Sequence, residues 1–222
     1  MSWWCRKSIA RCFLVRIELM FHVAIRIAQA YGPRYTGPVT DHRQALIDYI
    51  NTLAVKRGDF TLTSGKKASF YVDLRQVSLD HRVAPLIGDV MVDLIDEFGE
   101  VDSIGGLTMG ADPIASAIMH RGILRGKTFD ALVVRKEPKD HGMGKQVEGP
   151  PVSGKRVIVV EDTSTTGGSP LKACEAIEKE GGIIVAVCVV VDRNTGAKEV
   201  IEAAGYPYRA ALTLSDLGLD GD

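Results

Sequence analysis

The feature that most constrains this fold is the alternation of apolar strand patterns and helical patterns through the second half of the chain. Residues 157–160 (VIVV) and 183–191 (IIVAVCVVV) are apolar without interruption, as strands buried on both faces of a parallel sheet tend to be. A helical pattern lies between them, from Pro170 to Glu180, and Ser169 is its predicted N-cap. Strands that alternate with helices predict βαβ units, and hence an α/β fold with a mostly parallel sheet flanked by helices.

Helix signals also organise the region before these strands. Asp41 is predicted to cap a helix that Gly58 stops, and Asp80 is predicted to cap a second helix that ends at Gly99. Between the two, residues 60–75 (FTLTSGKKASFYVDLR) carry β-forming side chains around a Ser-Gly turn. This stretch predicts a short pair of strands.

Composition narrows the class of protein. The chain has 222 residues and a net charge of −1, which gives no global electrostatic reason for binding nucleic acid, so neither a nucleic-acid partner nor a membrane is predicted. Cys174 and Cys188 lie in apolar periodic segments and are predicted to be reduced core residues. A reducing compartment, the cytoplasm, therefore fits best.

The first residues differ from the rest of the chain. Six basic residues and a single acid occur before residue 39, and the charges interrupt every apolar run, so no span there could cross a bilayer. Residues 1–39 are predicted to be a basic extension and linker, and residues 40–222 a single domain. The extension is either a transit peptide or a segment without a targeting role, with Met20 as the true start.

The strongest chemical signal is the end of the strand at residues 156–162. Glu161 and Asp162 stand side by side there, and a loop of hydroxyls and glycines at 163–169 follows them. The backbone N–H groups of this loop and the next helix N-terminus suit a phosphate, which the two acids alone would repel. A ribose between acids and phosphate resolves the conflict, because its hydroxyls can donate to the carboxylates. The stretch therefore predicts a site for a sugar phosphate.

Residues 157–169 (VIVVEDTSTTGGS) resemble the phosphoribosyl pyrophosphate (PRPP) motif of the type I phosphoribosyltransferases. Residues 135–149 (RKEPKDHGMGKQVEG) resemble the catalytic loop of the orotate phosphoribosyltransferases. Residues 60–75, 105–117 (GGLTMGADPIASA) and 190–197 (VVDRNTGA) agree with that family as well. The resemblance implies the type I fold, with a small N-terminal hood region beside the main sheet.

The resemblance also implies which residues act. It assigns PRPP binding to residues of both motifs: Arg135, Lys136, Lys139, His141, Glu161, Asp162, Thr163, Ser164, Thr165, Thr166, Gly167, Gly168 and Ser169. It assigns catalysis to Lys139, Asp140, His141 and Asp162. It assigns orotate binding to Thr165 and Arg193.

The implied reaction transfers the phosphoribosyl group from PRPP to orotate, giving orotidine 5′-monophosphate and pyrophosphate in pyrimidine synthesis. Magnesium is the implied cofactor, carried mainly by PRPP and without a dedicated protein site. The implied assembly is a homodimer in which the loop at 136–154 reaches the neighbouring subunit's site. That loop is polar and rich in glycine, so it is predicted not to anchor itself in a core.

Two alternatives stay open at this point. A purine phosphoribosyltransferase would share the fold, and a PRPP-binding regulator would keep the fold without catalysis. Two positions also depart from some family members, which carry lysine where this chain has Thr63 and Met109. Fewer cations are therefore expected around pyrophosphate.

Overall fold

The computed structural model describes residues 41–61, 67–138 and 145–219. The strands within these ranges are β1 (Val55–Thr61), β2 (Lys67–Val72), β3 (Ser103–Leu107), β4 (Asp130–Val134), β5 (Val147–Glu148), β6 (Arg156–Ser164), β7 (Ile183–Asp192) and β8 (Tyr208–Thr213). The α-helices are α1 (His42–Tyr49), α2 (Arg75–Ser78), α3 (Ala84–Ile95), α4 (Ala111–Leu124), α5 (Gly168–Lys179) and α6 (Ala197–Ala203). A π-helical turn, Ile50–Ala54, continues α1, and a 3₁₀ turn, Asp96–Phe98, continues α3.

Within the described ranges, six strands form the central sheet, in the order β5–β4–β3–β6–β7–β8. Strands β4, β3, β6, β7 and β8 run parallel, and only the short edge strand β5 is antiparallel. Strands β1 and β2 form a separate antiparallel pair. The predicted α/β class with a mostly parallel, helix-flanked sheet is confirmed.

The two apolar runs form the adjacent strands β6 and β7 and are buried as predicted, except at 183–185, where Ile183 is 52% exposed. Side chains at 157–160 in β6 and at 186–191 in β7 are fully buried. The buried apolar residues divide into two clusters, as expected when helices cover both faces of a sheet. Each buried Val or Ile contributes about 1.5–3 kcal/mol relative to exposure, so these strands hold the scaffold on which the loops are mounted.

The first helix begins as predicted but ends early. The Arg43 backbone N–H donates to the Asp41 carboxylate at 3.0 Å, which confirms the N-cap. The helical segment stops at Ala54, and Gly58 lies in β1, where the pairing with β2 shifts register. The prediction that Gly58 ends the helix is wrong, because the β-branched Val55 already starts the strand.

Asp80 does not cap the second helix. Its carboxylate accepts the backbone N–H of Arg82 at 2.8 Å and pairs with the Arg82 guanidinium at 2.8 Å. Helix α3 begins at Ala84 without a side-chain cap, and a proline lies in its first turn. The carboxylate is therefore occupied in a local turn just before the helix.

The cap of α5 and the long loop also differ from the predictions. Gly167, in the left-handed conformation, occupies the N-cap position, and Ser169 lies inside the first turn. The loop predicted at 136–154 contains β5, and both Val147 and Val152 are buried. Its second half is thus anchored on the sheet edge, because these valines fill apolar space there.

Several predictions fall outside the described residues. They concern the N-terminal extension, the turn with Thr63, Ser64 and Gly65, and the loop residues Lys139, Asp140 and His141. Within the described residues, no helix combines the length and apolar character needed to cross a membrane.

Candidate active site

A cavity of about 380 Å³ opens at the carboxyl ends of β3 and β6, the edge at which parallel sheets bind ligands. It is lined by Tyr71, Val72, Asp73, Leu74, Arg75, Leu107, Thr108, Met109, Gly110, Lys136, Glu161, Asp162, Thr163 and Ser169. Four of the sequence stretches singled out above therefore meet in one cavity.

The two acids at the end of β6 have different surroundings. Glu161 is only 6% exposed, and its Oε1 accepts the Asp162 backbone N–H at 3.2 Å. Burial, and next the charge of Asp162, raise the pKa of Glu161 to about 8. Glu161 therefore keeps its proton at neutral pH when the cavity holds no ligand. With Glu161 protonated, the two acids together carry less negative charge, so they repel an incoming phosphate less.

The loop between β3 and α4 packs directly on these acids. A Cβ on Gly110 would lie 2.2 Å from Glu161 Oε1 and 2.9 Å from Asp162 Oδ1, so any larger residue would have to displace these carboxyl groups. The Thr108 side chain donates to Asp112 at 2.7 Å, and its backbone N–H donates to a carbonyl of β4 at 2.8 Å. These contacts fix the loop against the sheet while its backbone faces the cavity.

Met109 occupies the middle of this loop. Its side chain is 68% exposed and lines the cavity, where a lysine would supply a cation. The cations that line the cavity within the described residues are Arg75 and Lys136. Met109 itself contributes apolar surface there and no charge.

Asp73 and Arg75 form an ion pair at the cavity wall. The Arg75 Nε donates to Asp73 Oδ1 at 2.8 Å, and this hydrogen bond is the main reason that the pKa of Asp73 lies below its ordinary value. About half of the Arg75 side chain stays exposed. The structure shows both the ion pair and its position at the cavity. Among the charged and aromatic lining residues, Tyr71, Asp73 and Arg75 were not assigned to the site from the sequence, although all three lie in a stretch quoted for the family.

The loop after the acids leads into α5. Thr163 and Ser169 line the cavity, and the intervening Gly167 has a φ of 77° that favours glycine. Ser164 faces away: its side chain is 2% exposed and bonds with Asp192 and Tyr208. Any contact of Ser164 with PRPP therefore has to come from its backbone.

The remaining predicted residues within the described ranges do not line the cavity. They are Arg135, Thr165, Thr166, Gly167, Gly168 and Arg193. The loops of Thr165 and Arg193 are tied together, because the Thr195 hydroxyl donates to the Thr165 carbonyl at 2.5 Å. The Nε atoms of Arg135 and Arg193 are buried and have no hydrogen-bond partner within the described residues. Each guanidinium group thus has one buried donor that no described residue satisfies.

Comparison with known proteins agrees with this geometry. A family model described as the phosphoribosyl transferase domain matches residues 76–204. The orotate phosphoribosyltransferase of Tropheryma whipplei (strain Twist) is 56% identical over 175 residues, which cover 79% of this chain and 82% of that protein. The enzyme of that name from Streptomyces avermitilis is 54% identical over 181 residues, which cover 81% of this chain and 99% of that protein.

A solved structure is also similar to this chain. The crystal structure of Mycobacterium tuberculosis orotate phosphoribosyltransferase in complex with PRPP has a TM-score of 0.70 and 48% identity, and the match covers 80% of this chain and 99% of that one. The fold, the cavity at the strand ends and relatives of this identity along most of their length lead to one conclusion. The chain belongs to the orotate phosphoribosyltransferase family.

Proposed function

We infer that the protein transfers the 5-phosphoribosyl group of PRPP to orotate, giving orotidine 5′-monophosphate and pyrophosphate in pyrimidine nucleotide synthesis. The observation that carries this inference is the cavity itself. It places the two acids of β6, the start of α5 and the Thr108–Gly110 loop around one space. The ribose, the 5′-phosphate and the pyrophosphate group of PRPP each need one of these three surfaces.

The ribose and its 5′-phosphate take the β6 end of the cavity in this proposal. Asp162 accepts from a ribose hydroxyl, while Glu161, protonated in the empty site, can donate as well as accept. The 5′-phosphate binds the loop at 163–169, where backbone N–H groups and the positive end of the α5 dipole favour an anion. Because Gly110 has no side chain, the Thr108–Gly110 loop can lie close to Glu161 and Asp162.

Pyrophosphate leaves toward the Thr108–Gly110 loop. Its negative charge grows as the bond to the ribose breaks, so cations that face it stabilise the transition state more than the ground state. Lys136 at the cavity and Arg135 beside it supply such charge. Lys139 and His141 are proposed to add more, and Asp140 to act with them in catalysis. These three roles rest on the family resemblance.

Orotate is proposed to contact Thr165 and Arg193. A guanidinium can bind the carboxylate or ring oxygens of orotate through charge-assisted hydrogen bonds. The partnerless Nε of Arg193 supports this assignment. Adenine and hypoxanthine carry no carboxylate, which disfavours a purine phosphoribosyltransferase.

Magnesium fits the chemistry of the cavity, because the oxygens of the Asp162 carboxylate, and those of Glu161 once it loses its proton, are the kind of ligand that the ion prefers. Within the described residues, no group of three or more His, Cys, Asp or Glu side chains is arranged to hold a metal ion. We propose that the phosphates of PRPP carry the ion, which supplies positive charge for the departing pyrophosphate.

The reaction is tested by following orotate consumption with PRPP, with and without Mg²⁺, in the wild type and in Asp162→Asn. We expect Mg²⁺-dependent turnover in the wild type and a loss of at least about 100-fold in Asp162→Asn, because its carboxylate contacts the reacting sugar. Binding of PRPP without turnover of any base would instead favour a regulator of the same fold.

The assembly proposed is a homodimer in which each subunit lends its catalytic loop to its neighbour. Lys139→Ala damages the lent loop, and Asp162→Asn damages the ribose pocket that a subunit keeps. After the two inactive variants are unfolded and refolded together, random pairing makes half of the dimers mixed, and each mixed dimer has one intact site. Activity should return to roughly a quarter of the wild-type value. No recovery after confirmed subunit exchange would contradict loop sharing.

A reducing, cytoplasmic location is proposed from the thiols. Cys174 and Cys188 are free and buried, and burial raises the pKa of each to about 12. Such thiols behave as apolar core residues and have no role that needs an oxidising compartment.

A further inference from the structure

Behind the base-binding end of the site lies a buried polar cluster, which we call the Asp192 cluster: Asp192, Ser164 and Tyr208. Their exposed fractions are 7%, 2% and 3%. The Ser164 hydroxyl donates to Asp192 Oδ1 at 3.2 Å and lies 2.6 Å from the Tyr208 hydroxyl. The cluster links β6, β7 and β8.

The direction of these hydrogen bonds follows from the available protons. Ser164 has one hydroxyl proton and gives it to Asp192, so Tyr208 donates in the shorter bond. Burial raises the pKa of Tyr208 well above its ordinary value, so this hydroxyl keeps its proton. The chain of donors therefore runs from Tyr208 through Ser164 to Asp192.

Asp192 also fixes the backbone turn that contains Arg193. The Asn194 backbone N–H donates to Asp192 Oδ1 at 2.9 Å, which encloses Arg193 in a side-chain-closed turn. Asn194 has a φ of 52°, a left-handed conformation that asparagine tolerates better than most residues. On the other side, the Arg193 backbone N–H donates to the Ser164 carbonyl at 3.3 Å.

We propose that Asp192 is a positioning residue for orotate: it acts through the Arg193 turn, with Ser164 and Tyr208 behind it. This inference rests on the proposed function, because it takes Arg193 as an orotate ligand. A buried carboxylate is costly unless its hydrogen bonds are used, and here one fixes the Asn194 backbone next to the ligand residue and another holds the Ser164 side chain.

The expected effect is selective for the base. The hydrogen bond that joins the two loops, from the Thr195 hydroxyl to the Thr165 carbonyl, does not involve the Asp192 side chain. Loss of the Asp192 carboxylate should therefore displace Arg193 while leaving the 5′-phosphate site in place. A residue with only a general core role would instead affect both substrates or neither.

The test compares Asp192→Ala with Asp192→Asn by steady-state kinetics in both substrates. Alanine removes the acceptor of the Asn194 N–H, and we expect the KM for orotate to rise about tenfold with the KM for PRPP within about twofold. Asparagine keeps an acceptor oxygen and should restore the KM for orotate to within about threefold of wild type. Equal changes in both KM values, or no change, would overturn the proposal.

A pair of tyrosine variants keeps the proposal testable should Asp192→Ala not fold. Tyr208→Phe removes the donor to Ser164, and we expect the KM for orotate alone to rise about three- to fivefold. Tyr206→Phe is the matched control, because it removes a hydroxyl that donates to Glu178 at 2.9 Å, on α5 and outside the cavity lining. Identical kinetics of the two variants would refute a positioning role.

Failure of this inference is distinguishable from failure of the proposed function. If the wild type does not turn over orotate, the function is wrong. If the wild type is active and Arg193→Ala weakens orotate while Asp192→Ala and Tyr208→Phe do not, only the positioning role is wrong.

Discussion

Replacing Glu161 with glutamine should make the free protein more stable at neutral pH. The folded-state pKa of Glu161 is about 8, against 4.5 for the free side chain. Below pH 4.5 both the folded and the unfolded chain carry the proton, and the carboxyl contributes its full stabilisation. As pH rises toward 8 the unfolded chain loses the proton and the folded chain keeps it, so stability falls by up to about 1.4 kcal/mol per pH unit.

The magnitude follows from this window. Between pH 5.5 and 7.5, the wild type should lose about 2–3 kcal/mol of unfolding free energy relative to Glu161→Gln. Glutamine has the shape of the protonated acid and does not titrate, so the two proteins should be nearly equal below about pH 4 and differ by about 1.4 kcal/mol already at pH 5.5.

Urea unfolding of ligand-free, Mg²⁺-free protein at a series of pH values measures the difference directly. Glu175→Gln, a change on the exposed face of α5, is the matched control and should run parallel to the wild type at every pH. If Glu161→Gln also runs parallel to the wild type, Glu161 is ionised in the free protein and the reasoning about the two acids is wrong.

Three further outcomes are expected. Gly110→Ala places a Cβ 2.2 Å from Glu161 Oε1, so the KM for PRPP should rise at least about tenfold while thermal unfolding stays cooperative. Unchanged kinetics would contradict the close packing of Gly110 on Glu161. Arg193→Ala should weaken orotate by about 2–4 kcal/mol and PRPP much less, as measured by isothermal titration, and equal weakening would count against the assignment. Removal of residues 1–38 should leave turnover unchanged, and a large loss in a still-folded protein would show that the extension supports the domain.

The sheet and the position of the cavity were predictable because their signals are local. Uninterrupted apolar runs mark strands buried on both faces, and two acids followed by hydroxyls and glycines mark a ligand-binding strand end. The parallel topology then brings the carboxyl ends of β3 and β6 to one edge, whatever the details of the loops.

The corrections arise where a side chain has two possible partners. Asp80 was predicted to be a helix cap, yet Arg82 two residues later takes its carboxylate. Ser164 was predicted to bind PRPP; β6 continues through it and its side chain bonds with Asp192, so that prediction now concerns its backbone. The proton on Glu161 was also beyond the sequence, because it depends on burial against Gly110 and Asp162.

The central claim, that this cavity joins PRPP to orotate, is tested most directly by a competition among bases. The purified protein is given limiting PRPP, Mg²⁺ and equal amounts of orotate, adenine and hypoxanthine, and the nucleotide products are separated and quantified. The account predicts that orotidine 5′-monophosphate is the only nucleotide formed, with one pyrophosphate released for each. A purine nucleotide as the main product, or unconsumed PRPP, would contradict it.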